Sequence, residues 1–206
     1  MLQVTNEQEL VVVRQTFPEA EELFSRQRIA EHVTSVARII AQERKAGGSP
    51  RPLKLVVVLD GAMPYGMDLG GELAAAGVSD LSIDTIQLSR YGDDTEPSQT
   101  PAIIKDLRYP ITGEDVLVVE DILDGGLTLA YLKETILLPR HPASLKITAL
   151  LQRRGAQLRG TPESDYPVLS FRDDGRFAIG YGLDMKRGQA RHYRAIYLVP
   201  KPIKKG

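Results

Sequence analysis

In the stretch VLVVEDILDGGLTLAYL, residues 116–132, three carboxylates (Glu120, Asp121 and Asp124) stand just ahead of Gly125, Gly126 and Thr128. The aliphatic run before them reads as a strand, VLVVE, and Leu129, Leu132 and Ile136 after them recur at helical spacing. The acids are therefore expected on one tight strand-to-helix loop. Carboxylates this close repel one another unless something positive joins them, and their oxygens suit ribose hydroxyls or a hard divalent cation such as Mg²⁺. Glycines entering a helix expose successive backbone N–H groups backed by the positive end of the helix dipole, which suits a phosphate. A ligand with a phosphate at one end, vicinal hydroxyls in the middle and a metal-bound polyphosphate beyond would use every part. That is a phosphorylated sugar diphosphate.

The elements that must hold this loop alternate along the chain. Ile29, Val33, Ala37 and Ile40 mark the apolar face of an amphipathic helix between Pro18 and Lys45, which AGGSPRP ends. LKLVVVLDG is a short strand and turn, followed by a helix through MDLGGELAAAG with Pro64 as its first residue. LSIDTIQL is a strand. RYGDDTEPSQTPA, roughly a dozen polar turn-forming residues, is a loop long enough to be a lid or binding segment. VLVVE, its following helix and the strand SLKITALL continue the alternation, so the fold class is α/β, a mostly parallel sheet covered on both faces. YPVLSF, RFAIGYGL and RAIYLV lack intervening helices and are expected to form a small second layer, packed with the N-terminal helix.

Composition narrows the partners. The 206 residues can bury one sizeable core. The 26 Lys and Arg nearly balance 27 Asp and Glu, which gives no overall field for nucleic acid, a membrane surface or an acidic partner. There is no cysteine, which removes disulfides, thiolate metal sites and cysteine nucleophiles. No apolar run approaches a bilayer span and the N-terminus lacks the shape of a secretory signal, so a soluble cytoplasmic protein is expected. No glycine-rich loop ends in Lys-Ser or Lys-Thr, which excludes a P-loop nucleotidase, whereas a phosphohydrolase using paired carboxylates with Mg²⁺ stays open. His32, His141 and His192 have no ligand spacing and read as packing or surface residues.

VLVVEDILDGGLTL closely resembles the phosphoribosyl-diphosphate signature of type I phosphoribosyltransferases, in the Glu-Asp-Ile-x-Asp form of the hypoxanthine or hypoxanthine-guanine branch. FPEAEELFSRQRIAEHVTSVARII is similar to that branch's N-terminal helix, VVVLDGAMPYGMDL to its diphosphate loop and helix, and IQLSRYGDD to the start of its mobile catalytic loop. SLKITALLQRR resembles the strand carrying the base-binding cation, and RFAIGYGLDMKRGQARHY the base-stacking and metal-contacting tail. The resemblance implies one phosphoribosyltransferase domain over 1–206, with a core at about 46–166 and a hood subdomain from about 1–45 plus 167–206. It implies purine salvage: transfer of the 5-phosphoribosyl group from phosphoribosyl diphosphate to a 6-oxopurine, with Mg²⁺, in a homodimer or homotetramer.

The same resemblance assigns roles. Asp124 is the base that takes the purine's imidazole proton and Tyr91 a catalytic residue of the mobile loop. Glu120 and Asp121 hold ribose hydroxyls directly or through the metal, and Asp184 is the acid on the second metal side. Gly125, Gly126, Leu127 and Thr128 cradle the 5-phosphate, chiefly by backbone N–H, and Ile122 is a further substrate-binding residue. Leu59, Asp60 and Gly61 form the diphosphate turn, whose counterpart in the family has a non-proline cis peptide, and Arg191 clamps the diphosphate. Phe177 stacks on the base, Ala178 offers it backbone, and Arg153 donates to the 6-oxo group. Arg153 stands where relatives have lysine, Gly125 where they have a hydroxyl, Arg90 where serine precedes the tyrosine, and Asp60 where a basic residue is common. A second reading therefore stays open, a phosphoribosyl-diphosphate sensor with little transferase activity.

Overall fold

The computed structural model describes residues 5–49, 51–89, 101–155, 162–172, 174–185 and 188–201. The aliphatic runs build a six-stranded sheet in the order β4-β3-β2-β5-β6-β7. Its strands are β2 (Leu53–Val58), β3 (Leu81–Leu88), β4 (Ile103–Lys105), β5 (Asp115–Leu123), β6 (Ser144–Arg154) and β7 (Leu169–Arg172). All neighbours run parallel except the edge strand β4. Alternation of side chains sends Leu55, Val57, Leu117 and Val119 to one face, under α2 (Arg26–Gly47) and α3 (Met63–Ala75). Val56, Val58, Val116 and Val118 go to the other, under the helix that starts as α4 (Leu127–Tyr131). No helix among the described residues is long and apolar enough to cross a membrane.

α2 follows the expected face: Ile29, Val33, Ala37 and Ile40 are buried, with Ser25 as its N-cap and Gly48, at φ 58°, closing its end. At the bottom of the sheet the Asp115 carboxylate accepts from Arg44 Nη1 at 3.0 Å, Ser49 Oγ at 2.6 Å and Ser144 Oγ at 2.7 Å, tying α2, the next loop and β6 together. Burial alone would raise its pKa, but these bonds outweigh it and hold it below the usual carboxylate range. Tyr65 of α3 and Thr148 of β6 share a buried 2.7 Å hydrogen bond across the layer.

The second layer is a three-stranded antiparallel sheet, β1-β9-β8, formed by β1 (Glu21–Phe24), β8 (Phe177–Ile179) and β9 (Ile196–Val199). Its composition corrects the sequence reading in several places. Residues 169–172, grouped with the hood, pair with β6 instead and complete the large sheet. α2, also grouped there, packs on the large sheet's core. FPEAEELF does not begin the helix, because EELF extends and pairs with β9. The helix after β5 turns π-helical over Leu132–Leu137 and 3₁₀ over Leu138–Arg140, with Leu129, Leu132 and Ile136 still buried. β5 itself runs on through Leu123, because Ile122 and Leu123 keep pairing with Leu151 and Gln152.

The first residues form α1 (Asn6–Thr16), which the sequence reading left unassigned. Thr5 and Gln8 make a capping box, and Val13 is buried against the hood with Ala20, Tyr197 and Val199. Glu9 accepts from the Arg194 and Ala195 N–H groups at 3.0 and 2.9 Å and from the Tyr197 hydroxyl at 2.9 Å. Glu9→Ala strands these donors and is expected to lower stability by about 2 kcal/mol, read as a reduced urea midpoint, with Glu9→Gln retaining part of the difference.

His32 is a packing histidine: it is buried, Nε2 has no hydrogen-bond partner, and a ring N–H donates to the Pro167 carbonyl. Burial, and secondarily Arg28, push its pKa below 6.5. The unfolded chain thus takes up the proton first, so stability is full above about 6.5 and falls as the pH drops below it, until the folded form also protonates. The urea midpoint should fall between pH 7.5 and 5.5, and His32→Leu should make that fall shallower.

Candidate active site

Parallel strands place their carboxyl ends at one edge, and the crevice outside that edge is where α/β proteins hold ligands. Here it is a cleft of about 480 Å³ between the large sheet and the hood. Its lining includes Leu59, Asp60 and Gly61 after β2, the whole segment from Glu120 to Thr128 at the end of β5, Arg153 near the end of β6, and Phe177, Ala178, Asp184 and Arg191 from the hood. Every site residue expected from the sequence lines this one cleft, apart from Tyr91, which lies outside the described residues.

The three acids occupy different environments. Because β5 extends to Leu123, Glu120 and Asp121 are strand residues pointing to opposite faces, and only Asp124 is on the loop. Asp121 is buried; its Oδ1 accepts from the Ile122 N–H at 2.7 Å, and the carboxylate lies where a side chain on Gly61 would have to be. Glu120 is half-buried and accepts from the Asp121 N–H at 3.1 Å. The Asp124 side chain is 57% exposed. Gly126 takes φ 81° as the N-cap of α4. The first helical turn leaves its leading N–H groups without intrahelical partners, and no side chain caps them among the described residues.

Arg153 is the buried cation of the cleft. Its Nη1 donates to the Arg176 carbonyl at 3.0 Å, its guanidinium lies 5.1 Å from the Phe171 ring centroid, and its Nε is 3.7 Å from Asp124 Oδ1. Arg176 is itself held by Asp174 and Glu21. Across the cleft mouth, Arg191 donates Nη1 to the Gly182 carbonyl at 2.5 Å and pairs through Nη2 with Asp184 at 3.0 Å and Asp60 at 3.9 Å. The Leu59–Asp60 peptide is cis.

Comparison with known proteins agrees with this geometry. Residues 19–186 match the phosphoribosyl transferase domain. Hypoxanthine-guanine phosphoribosyltransferase of Dictyostelium discoideum is 36% identical over 180 residues, spanning 85% of this chain and 91% of that protein. The Mycobacterium avium enzyme of the same name is 34% identical over 167 residues, 79% of this chain and 77% of its own. A solved structure of Trypanosoma cruzi hypoxanthine phosphoribosyl transferase superposes with a TM-score of 0.76 at 35% identity, covering 87% of this chain and 90% of that one. This chain belongs to the phosphoribosyl transferase family.

Within this family member the sequence reading missed Gln87 and Leu88, which also line the cleft. β3 neighbours β2 in parallel, so its carboxyl end opens on the same crevice, and Gln87 Nε2 reaches Asp60 Oδ1 at 3.5 Å. Strand order was the signal that would have found them, and it is not written locally.

The hood closes on the core through backbone. Gly182, at φ 96°, lies so close to the Gly61 carbonyl and Pro64 Cδ that a Cβ would overlap both. Gly182→Ala must push the hood off the Leu59–Gly61 turn and is expected to lower the thermal midpoint, at a cost of about 2 kcal/mol or more. Gly71→Ala, in α3 with nothing within 4 Å of its Cβ, is the contrasting case and should raise stability by up to about 1 kcal/mol in the same melt.

Proposed function

We propose that the chain moves the 5-phosphoribosyl group from phosphoribosyl diphosphate to a ring nitrogen of hypoxanthine or guanine, giving the nucleoside monophosphate and diphosphate, as a purine-salvage enzyme. The observation that carries this reading is the convergence of the diphosphate turn, the Glu120–Thr128 segment, Arg153, Phe177 and Arg191 on one cleft. The names borne by the Dictyostelium and Mycobacterium relatives support the choice of base.

The reaction breaks the bond from the anomeric carbon to diphosphate and makes one to the purine nitrogen, so positive charge develops at the anomeric carbon and ring oxygen. Catalysis then consists largely of holding the two reactants in line and spreading the leaving group's charge. Phe177 stacks on the base, the Ala178 backbone meets its pyrimidine edge, and Arg153, already fixed by the Arg176 carbonyl and Phe171, donates to the 6-oxo group. Asp124 takes the proton from the imidazole nitrogen as the new bond forms. Backbone N–H groups from Gly125 to Thr128 hold the 5-phosphate, Glu120 the ribose hydroxyls, and Arg191 the diphosphate.

Mg²⁺ fits the donor set. No group of three or more His, Cys, Asp or Glu among the described residues could hold an ion alone, whereas Mg²⁺ is commonly held by one or two carboxylates together with substrate oxygens. Glu120 on one side and Asp184 on the other would hold it, with Asp121, turned to the opposite face and buried against Gly61, bracing the strand end instead of reaching the ion, and the ion would neutralise charge on the departing diphosphate. We take the reaction to be cytoplasmic, as the cysteine-free sequence allows. We take the molecule to be a homodimer or homotetramer, pairing through the face beside the diphosphate turn, where Met63 and Met67 of α3 are 48% and 59% exposed.

The test is an absorbance assay with phosphoribosyl diphosphate, Mg²⁺ and hypoxanthine, guanine or xanthine in turn. Turnover is expected with hypoxanthine or guanine, and Asp124→Ala should reduce it by about 100-fold or more while leaving sugar-diphosphate binding within a few-fold. Unchanged turnover in that variant removes Asp124 as the base. Tight sugar-diphosphate binding without turnover on any base would replace the enzyme with a sensor.

A further inference from the structure

Arg191 is the hood's cation at the cleft mouth, and it is already shared. Gly182 O and Asp184 hold it from its own side of the cleft, at 2.5 and 3.0 Å. Asp60 approaches from the core side, with Oδ2 at 3.9 Å from Nη2, and its Oδ1 is within 3.5 Å of Gln87 Nε2. The Asp60–Arg191 separation makes it an ion pair without a hydrogen bond, and its carboxylate is about half exposed. It is thus a charge that faces the site where the proposed function puts diphosphate, without being tied down as Asp184 is by the Gly188 N–H at 2.8 Å.

We propose that Asp60 is an anion built into the diphosphate subsite that competes with the ligand for Arg191. This rests on the proposed function, since it concerns the subsite where that reaction releases its leaving group. A diphosphate seated against Arg191 brings its own negative charge next to Asp60 in a partly desolvated cleft, where like charges repel more strongly than in open water. Two consequences follow. Free diphosphate is held weakly and leaves readily after each turnover. Tight holding requires a divalent cation, because the cation offsets the charge that Asp60 adds. Asp60 is in this sense a positioning and specificity residue, setting which ionic form of the ligand the cleft accepts.

The experiment is calorimetric titration of inorganic diphosphate, and separately of a nucleoside monophosphate, into the wild-type chain and Asp60→Asn at fixed ionic strength, with and without Mg²⁺. Without Mg²⁺, Asp60→Asn should bind diphosphate about tenfold more tightly, and the gap should narrow when Mg²⁺ is added. Nucleoside monophosphate, which lacks the diphosphate, should bind both proteins equally. Asp60→Lys, where the half-exposed site also tolerates a long side chain, should tighten diphosphate binding further. Equal or weaker diphosphate binding in Asp60→Asn overturns the inference, as does a tightening that extends equally to the monophosphate. If wild type and variants bind neither ligand, the proposed function itself fails.

Discussion

The cleft exists because two backbones are allowed to touch. Gly182 of the hood rests on the Gly61 carbonyl of the core, and Gly61 in turn rests against the Asp121 carboxylate at the end of β5. Three segments far apart in the chain are stacked at one point, and a Cβ at either glycine would wedge them apart. Tyr181 reinforces the seam by donating its hydroxyl to Asp68 of α3 at 2.6 Å. Burial, and then this bond, push the Tyr181 hydroxyl well above the usual tyrosine range, so it remains a donor at any physiological pH. The distance between the hood cation Arg191 and the core acids is set by this seam, and with it the width of any ligand that can bridge them.

The same stacking explains why neighbouring carboxylates can do different work. Asp121, buried under Gly61 with its Oδ1 bonded to Ile122 N–H, is fixed in place. Glu120, one residue earlier on a strand, points to the other face. Asp124, beyond the last sheet pairing, is exposed, with its Oδ1 3.7 Å from Arg153 Nε. Strand geometry separates three acids that look equivalent on paper into a structural brace, a cleft-wall acceptor and an exposed carboxylate. Had β5 stopped at Glu120, all three would have shared one loop and one electrostatic environment, with the repulsion that implies.

What could be read in advance follows from how local each feature is. The parallel sheet was legible because its strands are short aliphatic runs bounded by turn residues, and α2 because Ile29, Val33, Ala37 and Ile40 keep one face for its whole length. The site segment was legible because acids followed by glycines at a strand end have few uses, and the family resemblance supplied the distant members Arg153, Phe177 and Arg191. The extension of β5 past VLVVE was not legible, since Asp121 is a poor strand former and Ile122 and Leu123 are held extended by pairing with Leu151 and Gln152 of β6, long-range partners. β1 was missed for the same reason, because EELF becomes a strand only where β9 offers an edge; YPVLSF was read as extended but assigned to the second layer, because nothing local shows that β6 is its partner. α1 carried a local signal, the Thr5–Gln8 capping box, but its Val11 and Val12 are exposed and give no clean amphipathic face to confirm it.

α1 also shows how the ends of the chain serve the site. The family match covers 19–186, so both α1 and the segment carrying Arg191 and β9 lie outside it. These two outlying pieces are joined to each other. Glu9 takes up the amide hydrogens of Arg194 and Ala195, Val13 packs in one cluster with Tyr197 and Val199, and Arg14 Nε donates to the Ala20 carbonyl at 3.1 Å, closing α1 onto the start of the hood. The Gly182 and Tyr181 N–H groups then bond to the Arg191 and Tyr193 carbonyls, so the arm is held from the cleft side as well. An arm pinned at Arg194 and Ala195 by α1, and at Arg191 and Tyr193 by the seam loop, has little freedom between those points. A single arginine on a surface arm would lose much of its grip to side-chain and backbone entropy. Bracing the arm from both sides is the physical reason that the Arg191 guanidinium is held in place at the cleft mouth.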